Sequence, residues 1–277
     1  MMLKIKTLIR LLTPPIVWNA LRQMRHRHSN KTFEGVYNRL CEIHGTSYNS
    51  SETLEGIFSA TEEAYEQYKS LLRAPLVRPG TVPSLLPLLI SLIKIQKETV
   101  SVLDFGGGMG ISYIDCLQSI GPDGLEFHIV DLEDVQEKGK QIFEKKYNVR
   151  FYSDIALIGR IDVVHIGGSL QYIDNYRSLM KRLIELEPGF IFFTNTPMGK
   201  APTYATAQVN MKGLRIPCWI FQLDEIVELM GKSGYRLVYK TYNDIALDFG
   251  DIPDSHRAEF SLNLLFSRDA TGPKATG

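Results

Sequence analysis

From Thr99 onward the chain alternates between two hydrophobic periodicities. Short, nearly continuous apolar runs rich in β-branched and aromatic residues predict strands at Thr99–Phe105, Leu125–Asp131, Val149–Tyr152, Ile161–Ile166, Phe190–Asn195, Tyr235–Thr241 and Glu259–Phe266. Between them, apolar residues at helical spacing predict helices at Gly110–Ser119, Leu132–Tyr147, Tyr172–Leu186 and Leu223–Ser233. A strand-then-helix rhythm of this kind implies an α/β protein with a mainly parallel, doubly wound sheet. Upstream the pattern is helical: Thr61–Leu72 reads as one helix, and a loop from Pro79 to Pro87 leads into another ending near Gln96. At the start of the chain, Leu3, Leu8, Ile9, Leu11 and Leu12 can share one face. Thr13 then stands as an N-cap, with Pro14 and Pro15 in the first turn of a second helix carrying Ile16, Val17, Trp18, Leu21 and Met24. These patterns divide the chain into a helical N-terminal cap or lid (1–96), a sheet domain (97–267) and a polar tail (268–277) expected to be disordered.

Composition narrows the possibilities. A formal net charge of +0 over 277 residues gives no global attraction for nucleic acid. The three cysteines, Cys41, Cys116 and Cys218, show neither zinc spacing nor a disulfide framework, which suits a reducing, cytoplasmic setting. No metal-ligand pattern such as H-E-x-x-H is present. The longest apolar stretch, Leu85 to Ile95, falls short of the roughly 20 residues that span a bilayer. Charge is nevertheless uneven. Lys4, Lys6, Arg10, Arg22, Arg25, Arg27 and Lys31 precede the first acid, Glu34. A basic amphipathic segment can lie on an anionic membrane surface, so residues 1–31 are a candidate peripheral membrane contact; the alternative is packing on their own domain.

The densest chemical signal is Val102-Leu103-Asp104-Phe105-Gly106-Gly107-Gly108-Met109-Gly110. An apolar strand ends in an acid, glycines follow as G-x-G-x-G, and an apolar helix comes next. Such a turn lets a ligand approach the main chain, and the helix N-terminus offers free N–H groups. The dinucleotide fingerprint is G-x-G-x-x-G; here the last glycine comes one residue early, which argues against NAD and an oxidoreductase. About 20 residues further on, Asp131 ends the next strand, where one carboxylate can accept both ribose hydroxyls. Glu133 is the fallback, and a helix N-cap is the structural alternative for Asp131.

The acid–glycine pattern resembles motif I of class I S-adenosylmethionine (SAM)-dependent methyltransferases, a likeness extending over roughly residues 97–267. The resemblance implies a Rossmann-like, seven-stranded sheet with an antiparallel last strand, and SAM as cofactor. It assigns Asp104 and Gly106, Gly107, Gly108 and Gly110 to the cofactor loop, Asp131 to the ribose, and Asp154 to the adenine amino group, with Leu132 and Ile155 on either side of the ring. Gly168, Ser169 and Gln171, after the fourth strand, would line the methionine end. Phe33-Glu34-Gly35-Val36-Tyr37 and Gly168-Ser169-Leu170-Gln171-Tyr172 add a narrower resemblance, to a bacterial methyltransferase family associated with surface-polysaccharide biosynthesis. Here Val130-Asp131-Leu132 departs from that family, which would have Glu followed by Gln-Pro; the carboxylate is kept.

Methyl transfer is an in-line displacement at an activated carbon, so alignment supplies much of the catalysis. An oxygen acceptor still has to lose a proton to a base. Tyr172, His165 and Asp174 are the catalytic candidates, with His256 behind them. His165 lies inside an apolar strand, a setting that favours a buried structural histidine. Gly199 to Arg215 shows no clear periodicity and reads as a lid or binding loop, where Tyr204, Arg215 and Trp219 are candidates to grip a sugar or phosphate. Phe33 and Tyr37 would close over the cofactor or staple the N-terminal helices down. The expected activity is O-methylation of a small-molecule, sugar or glycolipid-type acceptor at the inner membrane face; a nucleoside-binding scaffold without transfer activity is the alternative.

Overall fold

The computed structural model describes residues 31–45, 51–71, 85–143, 148–210, 214–258 and 260–269. The basic helices expected before Lys31 and the tail beyond Asp269 lie outside the described residues. The described chain runs β1 (Phe33–Tyr37), a 3-10 turn (Leu40–Glu42), α1 (Ser51–Leu71), α2 (Leu85–Lys94), β2 (Val100–Phe105), α3 (Ile111–Ile120), β3 (Leu125–Val130), α4 (Glu133–Ile142) and β4 (Val149–Tyr152). It continues through β5 (Val163–Gly167), α5 (Tyr176–Glu185), β6 (Phe190–Gly199), β7 (Tyr204–Gln208), β8 (Ile216–Gln222), α6 (Leu223–Lys232), β9 (Tyr235–Ala246) and β10 (Phe260–Arg268).

All seven expected strands are present and form one sheet in the order β4-β3-β2-β5-β6-β10-β9. β2, β3, β4, β5 and β6 are parallel, and β10 runs antiparallel between β6 and β9. Successive strand residues feed opposite faces, as the pleat requires. Val102, Val163 and Phe192 join one apolar cluster under α2, α3 and α4. Leu103, Val164 and Phe193 join the other, under α5 and α6. Burial on both faces explains why these strands read as continuous apolar runs. The helices begin where side chains or glycines permit: Asn175 caps α5 by accepting from Ser178 N at 3.2 Å. α5 therefore starts at Tyr176 rather than Tyr172, with a 3-10 turn at Leu170–Tyr172 before it. α2 takes Pro87 into its first turn, where the missing N–H has no intrahelical partner to lose.

Three strands were not anticipated. The sheet has ten strands, because β1, β7 and β8 form an antiparallel extension that joins the main sheet where Met198 and Gly199 of β6 pair with Phe221 and Gln222 of β8. The N-terminal region is consequently not purely helical, and the expected binding loop at 199–215 contains the strand Tyr204–Gln208. The extension has its own core of Phe33, Tyr204, Cys218, Ile220, Phe249, Ile252 and Ala258. Arg215, just ahead of β8, fixes β1 and its following turn. Its guanidinium donates to Glu34 Oε1 (2.9 Å), Tyr37 Oη (3.1 Å) and His44 O (2.9 Å). Gly45 lies so close that a Cβ there would sit 2.0 Å from Arg215 O.

Arg215 satisfies three acceptors on two segments, a geometry a lysine cannot copy. Arg215→Ala and Arg215→Lys are both expected to speed amide hydrogen exchange at Phe33–Tyr37, with β2 unchanged, and to lower the melting temperature by about 2–4 °C. Unaltered exchange in β1 would remove this role.

Candidate functional site

A cleft of about 530 Å³ opens at the carboxyl ends of β2, β3 and β5. Open α/β sheets place ligands there. One wall is Phe105, Gly106, Val130, Asp131, Leu132 and Ser153, the floor is Gly167, Gly168 and Ser169, and the far wall is Leu40, Tyr172, Ile173, Ile216 and Pro217. An adjoining depression shares Phe105, Val130, Ser153 and Ile173 with it and adds Asp154, Ile155 and Arg182.

The glycine loop is shaped by alternating left-handed residues: Gly106, Gly108 and Gly110 have φ of 66°, 60° and 100°. Each then has a different task. A Cβ on Gly106 would lie 2.3 Å from the Ser169 Cβ, so the β2 and β5 turns touch main chain to side chain. Ser169 completes that contact by donating to Phe105 O at 2.7 Å. A Cβ on Gly107 would lie 2.4 Å from Asp104 Oδ2, and one on Gly110 would strike the Phe143 ring. Gly108 has open space around it and donates its N–H to Asp131 Oδ2 at 2.8 Å.

Asp131 therefore links β3 to the glycine loop. Its Oδ1 accepts from Leu132 N at 2.8 Å, and the residue still lines the cleft. Burial pushes its pKa up, with Asp104 adding to the shift, while the amides of Leu132 and Gly108 oppose it. Leu132 projects its apolar side chain into the cleft, half exposed. Asp154 N-caps the 3-10 turn Ile155–Leu157 by accepting from Ala156 N at 3.0 Å, and pairs with Arg182. Those contacts, the amide first, hold its carboxyl below the usual range. Ile155 is buried, as part of the floor of the adjoining depression.

Of the proposed catalytic side chains, only Tyr172 lines the cleft; its hydroxyl donates to Gln208 Oε1 at 2.6 Å. His165 is corrected to a buried residue, 5% exposed, with Nδ1 2.7 Å from Asp104 Oδ1 and Nε2 2.9 Å from Thr194 Oγ1. Asp174 is corrected too: it faces a separate depression with Asn38, Arg177 and Trp219. Gln171 is buried and donates to Gly168 O at 2.8 Å, bracing the floor from behind.

The acceptor-gripping trio is not assembled. Tyr204 is buried in the extension and donates to His256 O at 2.7 Å. Trp219 donates to Ile173 O at 3.1 Å. Arg215 is engaged as described above. Phe33 staples β1 to Phe249, ring centroids 5.0 Å apart, rather than covering a ligand. Sequence reasoning missed Leu40, Ile216 and Pro217, which carry no reactive group and reach the cleft only through the unforeseen extension.

A family described as methyltransferase domain matches residues 78–240, more than half of the chain. No curated protein matches. Among solved structures, 1,6-didemethyltoxoflavin-N1-methyltransferase of Burkholderia thailandensis, with S-adenosylhomocysteine bound, is 15% identical. That match covers 82% of this chain and 94% of the other, with a TM-score of 0.46. Magnesium protoporphyrin IX methyltransferase of Synechocystis, with SAM bound, is 13% identical over 76% and 97% of the two chains, TM-score 0.46. A SAM-dependent methyltransferase of Methanosarcina mazei is 11% identical over 64% and 96%, TM-score 0.47.

The raised pKa of Asp131 has a stability consequence. Because the folded carboxyl binds its proton more tightly than the unfolded one, ionisation costs stability as pH rises through the raised value. Asp131→Asn keeps only one acceptor for the two amides and is expected to melt lower than the parent, by a margin that narrows as pH rises from the ordinary carboxyl value of 3.8 through the raised one. A pH series of thermal melts decides it; a margin that widens over that range would contradict the assignment.

Proposed function

Since the chain belongs to the methyltransferase-domain family, we propose that its cleft binds SAM and directs the methyl group to a small-molecule acceptor. The observation that carries this reading is Asp131. It lines the cleft, its carboxylate is oriented by two main-chain amides, and one of those amides belongs to the glycine loop. A carboxylate held this way keeps lone pairs for two vicinal hydroxyls. Leu132 on one side and Phe105, Val130 and Ile155 on the other supply apolar surface for a purine. Beneath the loop, Asp104 Oδ2 is buried without a hydrogen-bond partner among the described residues, a negative site that suits a cationic ligand. The residues present therefore fit the cofactor.

SAM supplies a methyl group on positively charged sulfur. The protein's part is to align the acceptor and exclude water. Gly167 and Gly168 bring main chain to the cleft floor, and Tyr172 offers a fixed phenol beside them. For the acceptor we favour an oxygen of a sugar or glycolipid-type molecule. The narrower family resemblance supports it, and the wall of Leu40, Ile173, Ile216 and Pro217 suits a lipid-linked body. The basic residues of 1–31 would hold the enzyme at the inner face of the membrane, as a cytoplasmic peripheral protein. Among the described residues no helix is long and apolar enough to cross it.

Calorimetric titration with S-adenosylhomocysteine, with NAD as control, tests the cofactor. The parent is expected to bind the homocysteine compound alone, and Asp131→Asn to bind it at least tenfold more weakly. Binding of NAD, or of neither, would overturn the reading. Transfer of a labelled methyl group to nucleotide-sugar or glycolipid fractions tests the acceptor; labelling confined to other fractions would replace it.

A further inference from the structure

Asp104, at the carboxyl end of β2, has no solvent-exposed surface. Oδ1 is 2.7 Å from His165 Nδ1, while Oδ2 has no hydrogen-bond partner among the described residues. The carboxylate can only accept, so the imidazole proton belongs on Nδ1, and the Thr194 hydroxyl then donates to Nε2. β2, β5 and β6 are thereby joined by one buried chain of polar groups, with Asp115 of α3 close enough for its charge to act on His165. Gly107 packs against Oδ2, where a Cβ would lie 2.4 Å from it, and the neighbouring Gly106 lines the cleft. Asp104 also acts on Asp131 across the loop, helping to raise its pKa.

A buried anionic oxygen with no donor is costly, and the cost falls when a positive charge comes near. Methyl transfer would move the methyl carbon from sulfur to the acceptor atom, with the S–C electron pair kept by sulfur and the acceptor's proton passing to solvent. The cofactor thereby loses its sulfonium charge. Building on the cofactor reading above, we propose that Asp104, held in place by His165, is a buried counter-charge that makes the site discriminate the cationic cofactor from its uncharged-sulfur product. His165 is a positioning residue in this arrangement: its Nδ1–H donates to Oδ1 and so fixes Oδ2 under the loop. The device favours release of product once the methyl group has gone.

The readout is the ratio of the dissociation constants for S-adenosylhomocysteine and SAM, each measured calorimetrically at pH 7.5. Asp104→Asn removes the charge with little change of shape, and is expected to lower the ratio about tenfold, about 1.4 kcal/mol. His165→Leu leaves both carboxylate oxygens without a donor and frees the side chain to turn away from the loop, so the ratio should fall similarly. His165→Asn keeps an N–H near Oδ1 and should hold the parent ratio. If His165→Leu does not fold, Asp104→Asn and His165→Asn still decide the matter. Equal weakening of both ligands would mean a merely structural role and overturn the proposal, as would an unchanged ratio in Asp104→Asn. If the parent binds neither ligand, the cofactor reading itself fails; binding with an insensitive ratio sinks only the counter-charge.

Discussion

Two turns can approach as closely as those after β2 and β5 only if one of them lacks a side chain. Gly106 provides that gap: any Cβ there would overlap Ser169, whose hydroxyl instead reaches Phe105 O. The contact fixes the distance between two parallel strand ends and makes the cleft floor from main chain. Gly107 repeats the device one residue on, pressed against the Asp104 carboxylate. Apolar clusters on both faces of the sheet keep β2 and β5 from relaxing away from each other. The cleft is the gap that remains, and its geometry is set before any ligand is considered.

Charge is concentrated at the same place. Asp104 and Asp131 approach the glycine loop from below and from the side, and the field of one raises the pKa of the other. Their environments differ. Asp131 accepts from two main-chain amides, whereas Asp104 has one imidazole and one oxygen with no partner among the described residues. Neither arrangement is what stability alone would select, since an unpartnered buried acceptor and a raised carboxyl pKa both count against the folded state. Strain of this kind at a strand terminus is expected where a ligand completes the electrostatics.

The main sheet was legible because its strands are buried on both faces, which makes runs such as Val100–Phe105 and Ile161–Ile166 mostly apolar. The glycine loop was legible because its backbone needs left-handed angles that glycine alone adopts easily. The extension was not. β7 reads Tyr-Ala-Thr-Ala-Gln, and small residues give little apolar signal although Ala205 and Ala207 are fully buried. Thr206 is buried as well, its hydroxyl reaching Glu34 O and Gly35 O of β1. β8 carries Pro217, which argues against a strand interior when read alone. Tyr204, Arg215 and Trp219 read as ligand contacts because polar tips on large side chains look available in a sequence. Each one reaches a partner far along the chain, a fact that periodicity does not encode. His165 carried a better clue, since its neighbours on both sides are apolar.

The two halves of the cleft have different origins. The half formed by Gly106, Asp131 and Leu132 comes from βα turns of the parallel sheet and lies within the matched methyltransferase region. The opposite wall joins Leu40, upstream of that region, to Ile216 and Pro217 of β8. Leu40 reaches the cleft only because β1 is hydrogen-bonded to β7 and because Arg215 holds the segment around His44 against β8. That wall, which Tyr172 and Ile173 of the turn after β5 complete, draws on three segments outside the glycine loop. In the function proposed above, this arrangement separates acceptor selection from cofactor binding and assigns it to the wall that the extension completes.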